Sequence, residues 1–111
     1  MITIEDFQKV DIRVGRVIEV EDAETRKPMF KLKVDFGDFG IKQAIAGIKG
    51  YYEKEEILNK KFIFVVNLET KKIGNVLSEC MILAAVQEVD GNEKIVLLEL
   101  GKDIEVGTRV Y

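Results

Sequence analysis

Histidine and tryptophan are absent from this 111-residue sequence, and cysteine and proline occur once each. The missing histidine removes the commonest general base and the commonest metal ligand together, so most nucleophilic triads and imidazole metal centres are excluded. A lone Cys80 can form neither an intramolecular disulfide nor a cysteine zinc site, which points to a reducing compartment. No Walker A pattern and no G-x-G-x-x-G is present, so no phosphate-cradling loop of a nucleotide enzyme is signalled. No apolar run approaches the ~20 residues of a membrane span, and the opening MITIEDFQKV has neither a basic nor an apolar leader region; a cytoplasmic location without membrane contact is expected. Glu55 and Glu56 read as surface charge within an acidic segment, so no catalytic residue, metal or cofactor is assigned.

What is there is the material of a folded binding module. With 47% hydrophobic and 33% charged residues the composition is globular, and the length suits one domain over residues 1–111. Net charge is −3 but unevenly spread: residues 26–73 hold eleven Lys/Arg against six Asp/Glu, and the remainder six against fourteen. An acidic chain is a poor indiscriminate binder of phosphate backbones, whose affinity comes from counterions released by basic residues, yet a local basic face is compatible with these numbers.

Periodicity argues for strands. Thr3 and Asp6 have the spacing of a capping box, and Ile4 and Phe7 can share one face of a short helical lead-in free to dock on a neighbour. Val10, Ile12, Val14, Ile18 and Val20 against Asp11, Arg13, Gly15 and Glu19 predict a long half-buried strand, with Gly15 marking a bulge. Phe30, Leu32, Val34 and Phe36 alternate with polar residues as a second strand, and Gly37 to Gly40 turn the chain into a third over 41–48. One helical turn is expected within Glu53–Asn59, then a strand buried on both faces over Phe62–Leu68. The runs Met81–Val86 and Ile95–Leu100 around Asp90-Gly91-Asn92 predict a hairpin. The pattern matches an all-β fold with minor α content, a five-stranded Greek-key barrel of the OB type, ahead of a β-sandwich.

If Phe30, Leu32, Val34 and Phe36 face inward, Lys31 and Lys33 project together from the other side, roughly 6.5–7 Å apart by strand rise. That is close to the separation of successive phosphates, and Lys42 on the third strand is expected to extend the patch. OB barrels bind oligonucleotides across this face. Cys80 reads as an inert, partly buried thiol.

Four segments then carry a resemblance: A-G-I-K-G-Y-Y at 46–52, E-K-E-E-I-L-N at 53–59, N-L-E-T-K-K at 67–72 and S-E-C-M at 78–81. Together they resemble the tRNA-binding domain that occurs as free-standing dimeric proteins and as a C-terminal part or beta subunit of methionyl-tRNA synthetases. Residues 1–20 and 26–37 look more like CsaA, a sister group of export-related chaperones. The resemblance covers nearly the whole chain. It implies an OB fold with N- and C-terminal dimerisation elements, and tRNA as partner, recognised by shape at its outer corner. A synthetase partner in trans is the further implication. Carried over residue by residue, it assigns RNA contacts to Asn67, Lys71 and Lys72 in a turn, and to Ser78 and Met81. Glu79-Cys80 stands where the tRNA-binding group has Gln-Gly, which is a CsaA-like choice. The alternative function is therefore binding of peptides or preproteins in an apolar groove, with Met29, Phe30, Phe39 and Tyr51 as its lining.

Overall fold

The computed structural model describes all residues 1–111. Helix α1 (Ile4–Gln8) opens on the predicted capping box, in which the Thr3 hydroxyl accepts from Asp6 N and the Asp6 carboxylate accepts from Thr3 N; none of its residues is buried. Strands β1 (Ile12–Asp22), β2 (Phe30–Asp35), β3 (Ile41–Ala46), β4 (Lys61–Val65) and β7 (Met81–Ile82) form one antiparallel sheet in the order β3-β2-β1-β4-β7. Helix α2 (Lys54–Ile57) lies between β3 and β4, where a single helical turn was expected. Strands β5 (Lys71–Ile73) and β6 (Val76–Ser78) form a small hairpin, and β8 (Ala84–Val89) and β9 (Asn92–Leu97) form another, joined by the Asp90-Gly91 turn. Strand β10 (Arg109–Val110) returns to pair with the start of β1.

β1 is long because it serves two sets of neighbours. Its first half pairs with β4 and its second half with β2. The predicted bulge exists but not at Gly15: the register with β2 shifts between Val17 and Glu19, leaving Ile18 as the extra residue. Gly15 answers a different need. A Cβ there would stand 2.5 Å from Val34 Cγ1 and 2.6 Å from Phe36 Cε1, so the glycine lets the barrel interior pack directly against the β1 backbone. The predicted single alternation along β1 is corrected accordingly. Gly15 and Val17 point into the barrel, whereas Ile12 and Val14 lie on the other side, outside the main core cluster and alongside the C-terminal segment, where Val14 exchanges backbone hydrogen bonds with Gly107 and Thr108.

The main core joins Phe30, Leu32, Val34 and Phe36 to Ala44, Ala46, Ile48, Ile57, Phe62 and Phe64, with Phe36 and Phe64 edge to face at 5.4 Å between ring centroids. The run 62–68 is buried over a shorter stretch than expected: β4 ends at Val65, and Leu68 is exposed.

β3 and the end of the β5–β6 hairpin close the barrel largely through side chains. Glu79 N donates to Gln43 O at 2.7 Å, and the Glu79 carboxylate accepts from Gln43 N at 3.0 Å. The Ser78 hydroxyl accepts from Ile45 N at 3.3 Å, and Gln43 Nε2 donates to Leu77 O at 2.8 Å. These bonds satisfy backbone groups along the free edge of β3, which would otherwise remain an unpaired sheet edge. The result is the expected OB-like all-β barrel with little helix.

Candidate nucleic-acid interface

Two loops stand side by side at one end of the barrel. Residues 23–29 connect β1 to β2, and the β5–β6 hairpin connects β4 to the closing strand. Gly74, at φ +61°, brings the hairpin tip so close to the first loop that a Cβ would lie 2.8 Å from Glu24 O. Between the two loops is a cleft of about 360 Å³ lined by Thr25, Arg26, Lys27, Met29, Ile73 and Gly74.

The cations near these loops differ in whether they have acidic partners. Lys31 pairs with Glu21 at 3.1 Å and Lys33 with Glu19 at 3.2 Å, because the antiparallel register sets Glu21 opposite Lys31 and Glu19 opposite Lys33. Lys49 and Lys54 share Asp22, at 3.0 and 3.6 Å. Hydrogen bonding from Lys49 holds the Asp22 carboxyl below its ordinary range. By contrast Arg26, Lys27, Lys71 and Lys72 are exposed and have no carboxylate within ion-pair distance. Exposed Lys60, Lys94 and Lys102 are unpaired as well, but they lie elsewhere on the molecule; next to the face of β2, whose lysines are neutralised, the two loops carry the free positive charge. Exposed pairs contribute only about 0–1 kcal/mol each, but they lower the local potential a phosphate would meet.

The residues singled out from sequence fall as follows. Lys71 and Lys72 lie on β5 rather than in a turn, with Lys71 opposite Ser78 and Lys72 opposite Leu77. Ser78 shares the Lys71 side of the hairpin, and its hydroxyl is engaged with Ile45 N and Cys80 O. Met81 is exposed on β7. Lys42 does not extend the Lys31/Lys33 patch: it stands opposite Val34, on the core-facing parity of β3, whereas Gln43 and Ile45 are the neighbours of Lys33 and Lys31. Lys42 is close enough to Cys80 for its charge to act on the thiol, but burial dominates and pushes that thiol up to about 12, so it stays protonated and inert. Among the residues expected to line an apolar groove, Phe30 is core, only 3% exposed. Phe39 is exposed but carries the Arg13 guanidinium 3.7 Å above its ring.

Asn67 uses both ends of its amide on the backbone. Its Oδ1 accepts from Asp11 N at 2.9 Å and its Nδ2 donates to Lys9 O at 2.7 Å, tying the β4 exit to the start of β1. With each such bond worth about 0.5–1.5 kcal/mol, Asn67→Ala is expected to lower unfolding free energy by about 1–2 kcal/mol in a denaturant titration. No loss of stability would mean that the tie is not formed in solution.

Arg26 and Lys27 were not singled out from the sequence. Their signal lay in the basic balance of residues 26–73, but nothing local in T-R-K-P showed that the loop would meet a hairpin tip more than forty residues away.

Comparison with known proteins agrees with this geometry. A family model described as "Putative tRNA binding domain" matches residues 12–109. Over 109 residues the chain is 46% identical to the methionine–tRNA ligase of Methanocaldococcus jannaschii, covering 98% of this chain and 16% of that enzyme. The chain spans only 14–16% of the length of such curated ligases. Among solved structures, the CsaA chaperone protein of Picrophilus torridus superposes with a TM-score of 0.88 at 42% identity, each chain covered in full. A MetRS-related protein from Pyrococcus horikoshii gives a TM-score of 0.88 at 35% identity, covering 100% of this chain and 98% of the other. Matched by the family model over residues 12–109 and 46% identical to a relative over 98% of its own length, this barrel belongs to the tRNA-binding domain family.

Proposed function

We propose that residues 1–111 act as one structure-specific tRNA-binding unit that has no catalytic step of its own. The observation that carries this reading is the gathering of four unpaired cations, Arg26, Lys27, Lys71 and Lys72, on two touching loops, where the neighbouring β2 lysines Lys31 and Lys33 are neutralised. Lysine and arginine at such a site bind phosphates and fix register, and exposed Met81 can pack against a base or ribose. Asn67 and Ser78 act through the backbone they hold, and Lys31, Lys33 and Lys42 contribute at the margin of the site. Glu79 does not oppose this reading, since its carboxylate is turned into the barrel seam on Gln43 N.

The working form in this proposal is a cytoplasmic homodimer, able to serve a methionyl-tRNA synthetase in trans. Its support is the apolar surface left uncovered at both ends of the chain: Ile4 is 64% exposed in α1, and Val86 is 60% exposed in the β8–β9 hairpin. Burying a valine is worth about 1.5–3 kcal/mol, so Val86→Asp is expected to shift the sedimenting species to the monomer mass. A wild type that is itself monomeric at micromolar concentration would overturn the dimer.

A second reading, binding of unfolded preproteins, is favoured by the 42% identity to the P. torridus CsaA chaperone. Anisotropy of labelled tRNA, competed with a denatured polypeptide, separates the two. The RNA reading expects the polypeptide to leave tRNA bound; displacement at comparable concentration, or client protection without tRNA affinity at low salt, would favour the chaperone.

A further inference from the structure

We infer that the cleft between the 23–29 loop and the β5–β6 hairpin takes one unpaired nucleobase of the bound RNA, held between Met29 and Ile73, with Arg26 and Lys27 on the flanking phosphates. The inference rests on the RNA-binding reading and adds a base-recognition pocket to it. At about 360 Å³ the cleft is at the small end of the roughly 300–1,000 Å³ typical of ligand clefts, large enough for one planar ring system and too small for a helix. Its walls are largely apolar: Met29 reaches in from one loop, Ile73 from the other, and Thr25 lies beside them.

The pocket is held ready. Ala23 N donates to Met29 O at 2.9 Å, closing the base of the loop, and the Thr25 hydroxyl donates to Lys27 O at 2.6 Å. The Met29 methyl lies 3.7 Å from where a Gly47 Cβ would be, so it rests on the β3 exit, while the Gly74 backbone abuts Glu24 O. A pocket already ordered spares the ligand part of the entropic cost of binding.

The chemistry of the rim selects the occupant. An aliphatic side chain of a polypeptide would fill the apolar walls but gain nothing from Arg26 and Lys27. An extruded nucleotide brings a flat aromatic face for the Met29 thioether and Ile73, and anionic phosphates for the two cations. Bases unstacked in RNA loops and bulges are the ones proteins can seize in this way.

The test compares two RNA hairpins of equal length, one fully paired and one carrying a single unpaired nucleotide, by anisotropy at low salt. Wild type is expected to bind the bulged RNA about tenfold more tightly, within the range that base stacking on protein side chains gives. Met29→Ser combined with Ile73→Ser should bring the two RNAs to parity while leaving the salt slope unchanged, because neither side chain is charged or carries a phosphate contact. Equal affinity of wild type for the two RNAs would overturn the base pocket and leave RNA binding intact. Binding of neither would overturn both. If an unfolded polypeptide binds wild type but not the double variant while the RNAs bind alike, the cleft is a peptide side-chain pocket and the inference falls.

Discussion

Charge reversal of both hairpin lysines, Lys71→Glu with Lys72→Glu, is expected to reduce tRNA affinity by about a hundredfold or more at low salt. The two ammonium groups lie on adjacent positions of β5, exposed and without acidic partners, so each is free to contact phosphate. A hydrogen bond to a charged group contributes about 1.5–3 kcal/mol, and reversal adds repulsion to the loss. The milder Lys71→Ala and Lys72→Ala should each reduce the slope of log affinity against log salt by about one per phosphate contact removed. Lys31→Ala and Lys33→Ala form the contrast. These lysines already face Glu21 and Glu19, so their removal should change affinity by less than about threefold, within the exposed ion-pair range. Should Lys31 and Lys33 matter more than Lys71 and Lys72, the ligand lies across β2 and the two-loop site is wrong.

Gly15→Ala is expected to destabilise the barrel strongly. Its Cβ would fall 2.5 Å from Val34 Cγ1 and 2.6 Å from Phe36 Cε1, both side chains fully buried. Neither neighbour can retreat: Phe36 is wedged edge to face on Phe64, and Val34 sits in the middle of the barrel core. Overpacking of this kind costs about 1–3 kcal/mol. For a chain of this length, that lowers Tm by roughly 5–20 °C. Since the obstacle is space rather than backbone conformation, adding Val34→Ala should recover part of the loss, a non-additive pair of the sort expected for residues in contact. Thermal unfolding of the single and double variants reads this directly; an undiminished Tm in Gly15→Ala would mean that β1 does not pass so close to the core.

The sequence was legible where one physical requirement acted on one stretch of chain. β2 must bury one face only, so Phe30, Leu32, Val34 and Phe36 declared it by strict alternation, and the Thr3/Asp6 capping box is a bond between near neighbours. β1 was misread in detail because Val14, Val17 and Ile18 are all apolar, and a bulge among apolar residues leaves no mark in the pattern. Lys42 was assigned to the wrong side because a lysine at the end of a core-facing row can reach solvent by its length, so residue type hid the parity that pairing with Val34 fixes. The seam is the least legible part. Glu79 on Gln43 and Ser78 on Ile45 join residues more than thirty positions apart, and an acid beside a cysteine reads as a hazard to phosphate until its hydrogen bond is known.

The two-loop site was half visible. Lys71 and Lys72 came from the resemblance, Lys31 and Lys33 from strand geometry, and neither source foresaw that cross-strand acids would neutralise the second pair. That outcome depends on register, which sets Glu19 opposite Lys33 and Glu21 opposite Lys31. Arg26 and Lys27 became part of the site only through the contact between Gly74 and Glu24.

The most direct test of tRNA binding at the loops is the affinity of the purified chain for total tRNA across a salt series, with a DNA duplex of similar length as competitor. The four unpaired cations of the two loops predict a log-log slope of magnitude about three to four, one per phosphate engaged, with tRNA retained against excess duplex DNA. A slope near zero, or displacement of tRNA by DNA at equal phosphate concentration, would contradict structure-specific recognition by Arg26, Lys27, Lys71 and Lys72.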